Sequence, residues 1–383
     1  MLEETMKVPL YEQLYRFVLG EIDSGHLGPG ARVPSEKELA DQFHVSRITS
    51  KRALEKLAHD GLIQRARGRG SFVAAGVEEA NPGLPGAGPG QGIERESAQP
   101  HLVGLLVPDT SDIFGSHLVR TIESQLRLRH IRTILCRTEG RRELEEAAID
   151  DCLALGVTGL IICPVHGEYY NERLLRLVLD HFPIVLVDRY LRGIPACSVC
   201  TDNRRAAEEL TNHLIARGHR NFAFVSVPPA GTSSIEDRLL GMMAAIAEHG
   251  LHFNAEDDVV HVYCTLPGAM TPWTQDVERD AETIRVYAER HPHVTAFIAC
   301  EHPLALLTQR VLEGLGRTLP ADSAVACFDA PRSPLDISPI TYVEQDEERM
   351  GCEAVDLLLA QVQHREVPLH VATGYRMVRG QST

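Results

Sequence analysis

Between Asn81 and Gly92 the chain reads "NPGLPGAGPGQG", eight glycines or prolines in twelve positions. A stretch of this kind has neither side chains to pack nor a backbone that holds a helix, so it serves to connect. The 383 residues therefore divide into a small module over 1–76, a Gly/Pro-rich linker over 77–100 and a large domain over 101–383. Each part needs its own explanation.

Charge divides along the same line. The chain carries a formal net charge of −15, yet residues 1–76 hold 11 basic and 10 acidic residues, leaving 27 basic against 43 acidic for the remainder. Positive charge gathers most densely in "VSRITSKRALEKLAHDGLIQRARGRG", residues 45–70, with seven Lys or Arg against two acids. A basic cluster in an acidic chain implies an anionic partner, and the acidic remainder limits indiscriminate adhesion to it.

In the small module Leu10, Leu14, Phe17, Val18 and Ile22 recur at helical spacing up to "SGHLGPG", whose glycines and proline end the helix. "PSEKELADQF" opens a second helix, with Ser35 and Glu38 spaced as a capping box and Leu39, Ala40 and Phe43 inward. In "VSRITSKRALEKLAHDG" Ser46 is the N-cap and Ser50, Ala53, Leu54 and Leu57 turn inward. Thr49, Arg52 and Lys56 lie opposite, with Arg47 and Lys51 on the flank. "LIQRARGRGSFV" reads as two strands around a glycine turn, with Arg65, Arg67 and Arg69 near its tip. Three helices and a basic hairpin predict a winged helix-turn-helix, mainly α with a β-hairpin wing. Its third helix suits the major groove, and the wing arginines suit phosphates or the minor groove.

In the large domain short apolar runs alternate with amphipathic stretches: "HLVGLLVP", "IRTILC", "GLIICPV", "PIVLVDR", "FAFVSV", "VVHVYC", "TAFIAC", "AVACFD". This rhythm predicts parallel sheets covered on both faces. Eight or nine strands with a break near 200 suit an α/β domain of two doubly wound lobes, 101–201 with 330–345 and 202–329 with 346–383. A cleft is expected outside the strand carboxyl ends. Polar residues cluster at those ends: Asp109, Ser111, Asp112 and Phe114 in "VPDTSDIF", Asp188 and Arg189 in "VDR", and Asp202 and Asn203 in "TDN". Asp237 and Arg238 follow in "EDRLLG", Glu301 and His302 in "ACEH", Asp329 in "CFD" and Gln345 in "VEQD". Such forks suit a ligand rich in hydroxyls or bearing an anion. Trp273 could stack on a sugar face.

Other classes are disfavoured. No apolar run of eighteen residues is present, and the acidic start lacks the basic and apolar regions of a secretory signal, so a cytoplasmic protein without membrane contact is expected. The nine cysteines are odd in number and mostly set in apolar segments. That fits reduced thiols, and the lone CxxC, Cys197 and Cys200, has no second ligand pair, so no metal is expected. The chain has no G-x-x-x-x-G-K-[ST], H-E-x-x-H, G-x-S-x-G or post-strand G-x-G-x-x-G, and no cofactor is expected.

Over residues 8–74, "PLYEQL", "GPGARVPSEKELADQF", "VSRITSKRALEKLAHDGLI" and "GRGSFV" resemble the DNA-binding domain of GntR-type regulators. The resemblance implies operator contacts by Lys37, Ser46, Arg47, Thr49, Lys51, Arg67, Gly68 and Arg69, to which Arg52 on the exposed face is added. Ile48 and Ser50 depart from the usual pattern. Such domains are sometimes fused to aminotransferase-like domains, but a pyridoxal Schiff base needs a lysine and none follows Lys56. Over 101–379, "GLLVPDTSDIF", "GVTGLIICP", "IPACSVCTDNRRAAEELTNHLIARGHRNFAFV", "DRLLGMMAAIAEHGL" and "YVEQDEERMG" resemble the sugar-sensing domain of LacI-type regulators, itself similar to periplasmic sugar-binding proteins. That resemblance implies effector contacts by Arg189 and Asp329, with Phe114, Trp273 and Gln345 at the pocket. Glu301-His302 replaces the usual N-D pair, and Ala330 the usual second acid. The combined architecture is similar to repressors of the arabinose type.

The expectation is therefore a homodimeric repressor on a pseudo-palindromic operator, released by a small sugar, a pentose such as L-arabinose first. A nucleoside or sugar phosphate as ligand, a sugar-acting enzyme and a transport binding protein remain the alternatives. With a Gly/Pro linker in place of a hinge helix, lobe closure is expected to change the spacing of the two DNA readers.

Overall fold

The computed structural model describes residues 14–15, 18–19, 27, 30–43, 45–59, 62–66, 70–73, 102–109, 114–167, 171–266, 273–330 and 338–383. The chain forms two compact units, Met1–Glu94 and Arg95–Thr383.

In the first unit α1 (Glu36–Phe43) and α2 (Arg47–His59) are joined by a three-residue connection, and β1 (Arg32–Val33), β2 (Ile63–Ala66) and β3 (Gly70–Val73) form an antiparallel sheet in the order β1-β3-β2. The capping box forms: Ser35 N–H donates to Glu38 Oε2 at 2.7 Å and Glu38 N–H to Ser35 Oγ at 3.3 Å. Ser46 caps α2, accepting the Thr49 N–H at 3.2 Å. Leu14, Val18, Leu39, Ala53, Leu54 and Leu57 close a core with Val33, Ile63 and Val73 from the sheet.

The second unit holds two six-stranded sheets. The first runs β14-β8-β7-β6-β4-β5, all parallel, from β4 (Leu102–Val107), β5 (Arg132–Arg137), β6 (Leu160–Ile162), β7 (Ile184–Val187), β8 (Cys197–Thr201) and β14 (His370–Thr373). The second runs β10-β9-β11-β12-β13-β15, from β9 (Phe222–Ser226), β10 (Val259–His261), β11 (Ala296–Ala299), β12 (Ala324–Phe328), β13 (Thr341–Gln345) and β15 (Tyr375–Val378), with β15 antiparallel. Its central strands are buried along their whole length, which is why they read as continuous apolar runs.

The expected lobe division needs correction. Residues 341–345 belong to the second sheet, where Ala326 pairs with Thr341. The following helix Glu347–Val362 returns to the first lobe, with Met350, Ala354, Val355 and Leu358 in its core. The chain thus crosses between lobes near Asp202, Asp346 and Gly374. Asp202 and Asp346 each cap the helix that packs on the lobe just entered, accepting the N–H of Arg205 (3.1 Å) and Arg349 (3.0 Å). Hydrophobic periodicity identifies an element's type; which sheet it joins depends on complementary packing. Here that packing includes a close approach at Gly351, where a Cβ would stand 2.9 Å from Thr121 of the first-lobe helix Ser116–Leu128.

Among the described residues no helix is long and apolar enough to cross a membrane. Cys197 and Cys200 are buried in β8, and all nine cysteines are free thiols.

Candidate functional site

In the N-terminal unit the burial of Ser50, Ala53, Leu54 and Leu57 fixes the rotation of α2 and leaves Ser46, Lys51 and Arg52 exposed. Lys37 is exposed on α1, and Thr49 is half-buried with its hydroxyl 2.8 Å from Ser46 Oγ. Arg47 is the first residue of α2, and its side chain lies outside the described residues, as do Arg67, Gly68 and Arg69 at the hairpin tip.

In the large unit a cleft of about 480 Å³ opens between the sheets. Asp109, Phe114, Asp188, Arg189, Arg238, Glu301, Asp329 and Gln345 all line it. Ser111 and Asp112 lie outside the described residues; Trp273 begins the helix Trp273–Arg290, and its side chain is likewise not described. Each lobe presents one carboxylate by the same device. Asp188 follows β7 and Asp329 follows β12, both with left-handed backbone (φ 70° and 61°), and each N–H donates to the next strand, to Val199 O at 3.1 Å and Val343 O at 2.8 Å. This conformation costs a non-glycine residue about 1–3 kcal/mol, a cost retained where it aims a side chain.

The two cleft guanidiniums are already engaged. Arg189 donates through Nε (3.0 Å) and Nη2 (2.9 Å) to Asp188 Oδ2. Arg238 donates to Asn203 Oδ1 (2.8 Å) and Cys300 O (2.6 Å), and its guanidinium lies 4.1 Å from the Phe328 ring centre. Gln345 Nε2 donates to both oxygens of Asp329 at 3.1 Å, and Glu301 accepts from the Thr265 hydroxyl. Burial raises the Asp329 carboxyl to about 7 against the pull of Arg238 and Gln345, and it raises Glu301 as well. Four acidic side chains therefore line the cleft beside two guanidiniums, with Asp329 and Glu301 inclined to keep their protons and Asp109 3.4 Å from Arg137 Nε.

The Asp329 shift predicts opposite pH trends with and without ligand. The folded unliganded protein keeps a proton that the unfolded chain releases in the ordinary carboxylate range, so its stability falls as pH rises through about 7. A ligand that donates hydroxyls to the ionised carboxylate binds more tightly over the same rise, by up to about tenfold per unit below pH 7. Calorimetric titration across that range checks both trends.

Other residues expected at strand ends have different tasks, and Asp237 and Arg238 lie not at a strand end but within the helix Ser233–Glu248. Asp202 is a helix cap, Asn203 holds Arg238, and Asp237 bonds Tyr190. His302 is buried, with Nε2 3.1 Å from Ser338 Oγ. Sequence reasoning missed His166, Thr265, Ser234 and Ile235, which also line the cleft. His166 and Thr265 come a few residues after β6 and β10, so the strand-end rule that found Asp188 could have found them. Burial, then the charge of Arg189, holds His166 down at about 4.

Residues 10–73 match the gntR family of bacterial regulatory proteins and residues 211–383 a periplasmic binding protein-like domain. The chain is 28% identical over 377 residues to an arabinose metabolism transcriptional repressor of Geobacillus stearothermophilus, covering 96% of this chain and 94% of that one. It is 24% identical over 266 residues to a ribose operon repressor of Halalkalibacterium halodurans, covering 69% and 73%. In fold it is similar to a transcriptional regulator CelR–cellobiose complex, with a TM-score of 0.63 at 19% identity over 92% of this chain and 100% of that one.

Proposed function

We propose that this chain, a transcriptional regulator joining a gntR-type DNA-binding domain to a periplasmic binding protein-like sensor, is a repressor whose hold on its operator is released by a neutral sugar of pentose size, L-arabinose first. The charge of the cleft carries the choice. Asp109, Asp188, Glu301 and Asp329 supply hydroxyl acceptors, and Arg189 and Arg238 are each already bonded within the protein, Arg189 through Nε and Nη2 only, so that it still offers a hydroxyl its Nη1. A phosphate would enter against that balance, so sugar phosphates are disfavoured. The volume lies in the lower part of the range for small-molecule sites. The likeness to an arabinose metabolism transcriptional repressor, 28% identical over 377 residues, supports the same sugar class.

DNA contacts are assigned to Lys37, Ser46, Arg47, Thr49, Lys51 and Arg52, with Arg67, Gly68 and Arg69 at the wing. Pairing through the first lobe is supported by β5, an edge strand on which Leu135 is exposed, and by exposed Leu128 and Leu155 at the ends of neighbouring helices. A homodimer would present two readers to a pseudo-palindromic operator.

Thermal unfolding of the purified protein against L-arabinose, D-xylose, D-ribose, D-glucose and ribose 5-phosphate tests the reading. A sugar at 100 times its dissociation constant adds about 2.7 kcal/mol. Stabilisation by a pentose and none by the phosphate supports a neutral-sugar sensor; stabilisation by the phosphate alone overturns it.

A further inference from the structure

The helix Ser233–Glu248 begins in an unusual way. Thr232 occupies its N-cap position, yet the hydroxyl caps nothing on its own helix. It lies 2.7 Å from His166 Nδ1 and accepts the Gly167 N–H at 3.3 Å, both in the other lobe. The next residue does the same. Ser233 Oγ accepts the Tyr190 N–H and donates to the Tyr190 carbonyl, each at 2.8 Å. One turn on, Asp237 accepts the Tyr190 hydroxyl at 3.0 Å, and Arg192 reaches Glu236 at 2.9 Å and Asp237 at 3.3 Å. Thr232 and Ser233 are buried, so their hydroxyls have exchanged water for these partners.

The same turn has a second face. Ser234, Ile235 and Arg238 point into the cleft, while Thr232, Ser233, Tyr190 and Asp237 do not line it. One helix start therefore touches the effector space with one set of residues and clasps the opposite lobe with the other. Elsewhere among the described residues the lobes are joined by the chain crossings near 202, 346 and 374, and crossings of this kind can act as hinges.

We propose that the first turn of Ser233–Glu248, with Tyr190 and Arg192, is a latch whose strength sets the closed fraction of the sensor and hence the effector concentration that triggers release. The inference rests on the reading of the cleft as the effector site. A binding-competent state populated in only a fraction of molecules weakens apparent affinity by that fraction. Loosening the latch therefore weakens binding without removing any group that faces the ligand.

The full-length Tyr190→Phe/Ser233→Ala variant tests this by hydrogen exchange and L-arabinose titration. Without sugar, backbone amides in 163–167, 188–192 and 232–240 are expected to exchange about tenfold faster together, with both sheets unchanged. With sugar, half-saturation is expected at about tenfold higher concentration. Faster exchange confined to the substituted residues, or unchanged affinity, overturns the latch. If L-arabinose fails to protect even the unsubstituted protein, the pentose reading falls, and the exchange comparison alone decides the latch. Should the double variant not fold, Tyr190→Phe alone keeps the aromatic ring and removes the bond to Asp237.

Discussion

Arg189→Ala is expected to give a regulator that binds its operator normally and no longer releases it when sugar is added. The guanidinium spends Nε and Nη2 on Asp188 and still borders the cleft. A hydroxyl arriving there meets a fixed donor whose charge is held by a buried partner. Charge-assisted hydrogen bonds contribute about 1.5–3 kcal/mol each, so losing one or two lowers affinity roughly 10-fold to 10⁴-fold. The substitution also strands the Asp188 carboxylate, which destabilises the sensor by about 3–5 kcal/mol if nothing else compensates. Arg189→Lys separates the two effects: it restores the charge but not the planar fork, so stability should recover further than affinity. Calorimetric titration with sugar and operator gel shifts give the readouts. Release at an unchanged sugar concentration would mean that the effector acts elsewhere.

Arg47→Ala is expected to do the reverse. Position 47 is the first residue of α2, where a side chain of a groove-bound helix reaches base edges. Loss of one bidentate contact to guanine costs about 1–3 kcal/mol, and in a dimer on a pseudo-palindrome the loss occurs twice. The combined effect of about 2–6 kcal/mol is a fall of roughly 30-fold to 10⁴-fold in operator affinity, with sugar binding untouched. A uniform loss over all DNA sequences with a shallower salt dependence would instead make Arg47 a phosphate contact. Operator selected from a random library, followed by titration at several salt concentrations, distinguishes the two. A variant that loses sugar binding too would refute the separation of tasks.

In the N-terminal unit the second and third helices and the wing strands were legible because their signals are local, whereas Leu10, Phe17 and Ile22 of the expected first helix, and the linker, lie outside the described residues. A capping box needs residues three apart, and Ser35 with Glu38 supplies it; Ser46 and Thr49 repeat the logic on the next helix. The strand ends of the large unit were legible for a similar reason, and Asp188, Arg189, Asp329 and Gln345 converge. What could not be read was assignment between lobes. Nothing near residues 341–362 says that the strand stays with the second sheet while its helix leaves for the first; that shows only in space, where Met350, Ala354, Val355 and Leu358 join the first-lobe core and Gly351 meets Thr121, 230 positions away. Arg238 illustrates the same limit. Its type and position marked it, but its engagement with Asn203 and the Cys300 carbonyl, which changes the cleft's charge, is visible only in space.

The three crossings also constrain how this protein can be made. The first lobe's sheet lacks its edge strand until residue 373 has been synthesised, and its helix Glu347–Val362 follows the last of the strands it covers, Cys197–Thr201, only after the whole second-lobe segment between them. One face of the first sheet, with Val103, Leu105, Val185 and Val199, cannot be buried until Met350, Ala354, Val355 and Leu358 have emerged, so it waits exposed for its last partner. A ribosome stalled anywhere before that point leaves a complete N-terminal reader attached to an unfinished sensor. Such a fragment could still find DNA but could not answer to sugar, which makes full-length synthesis and prompt removal of truncated chains part of how inducibility is maintained.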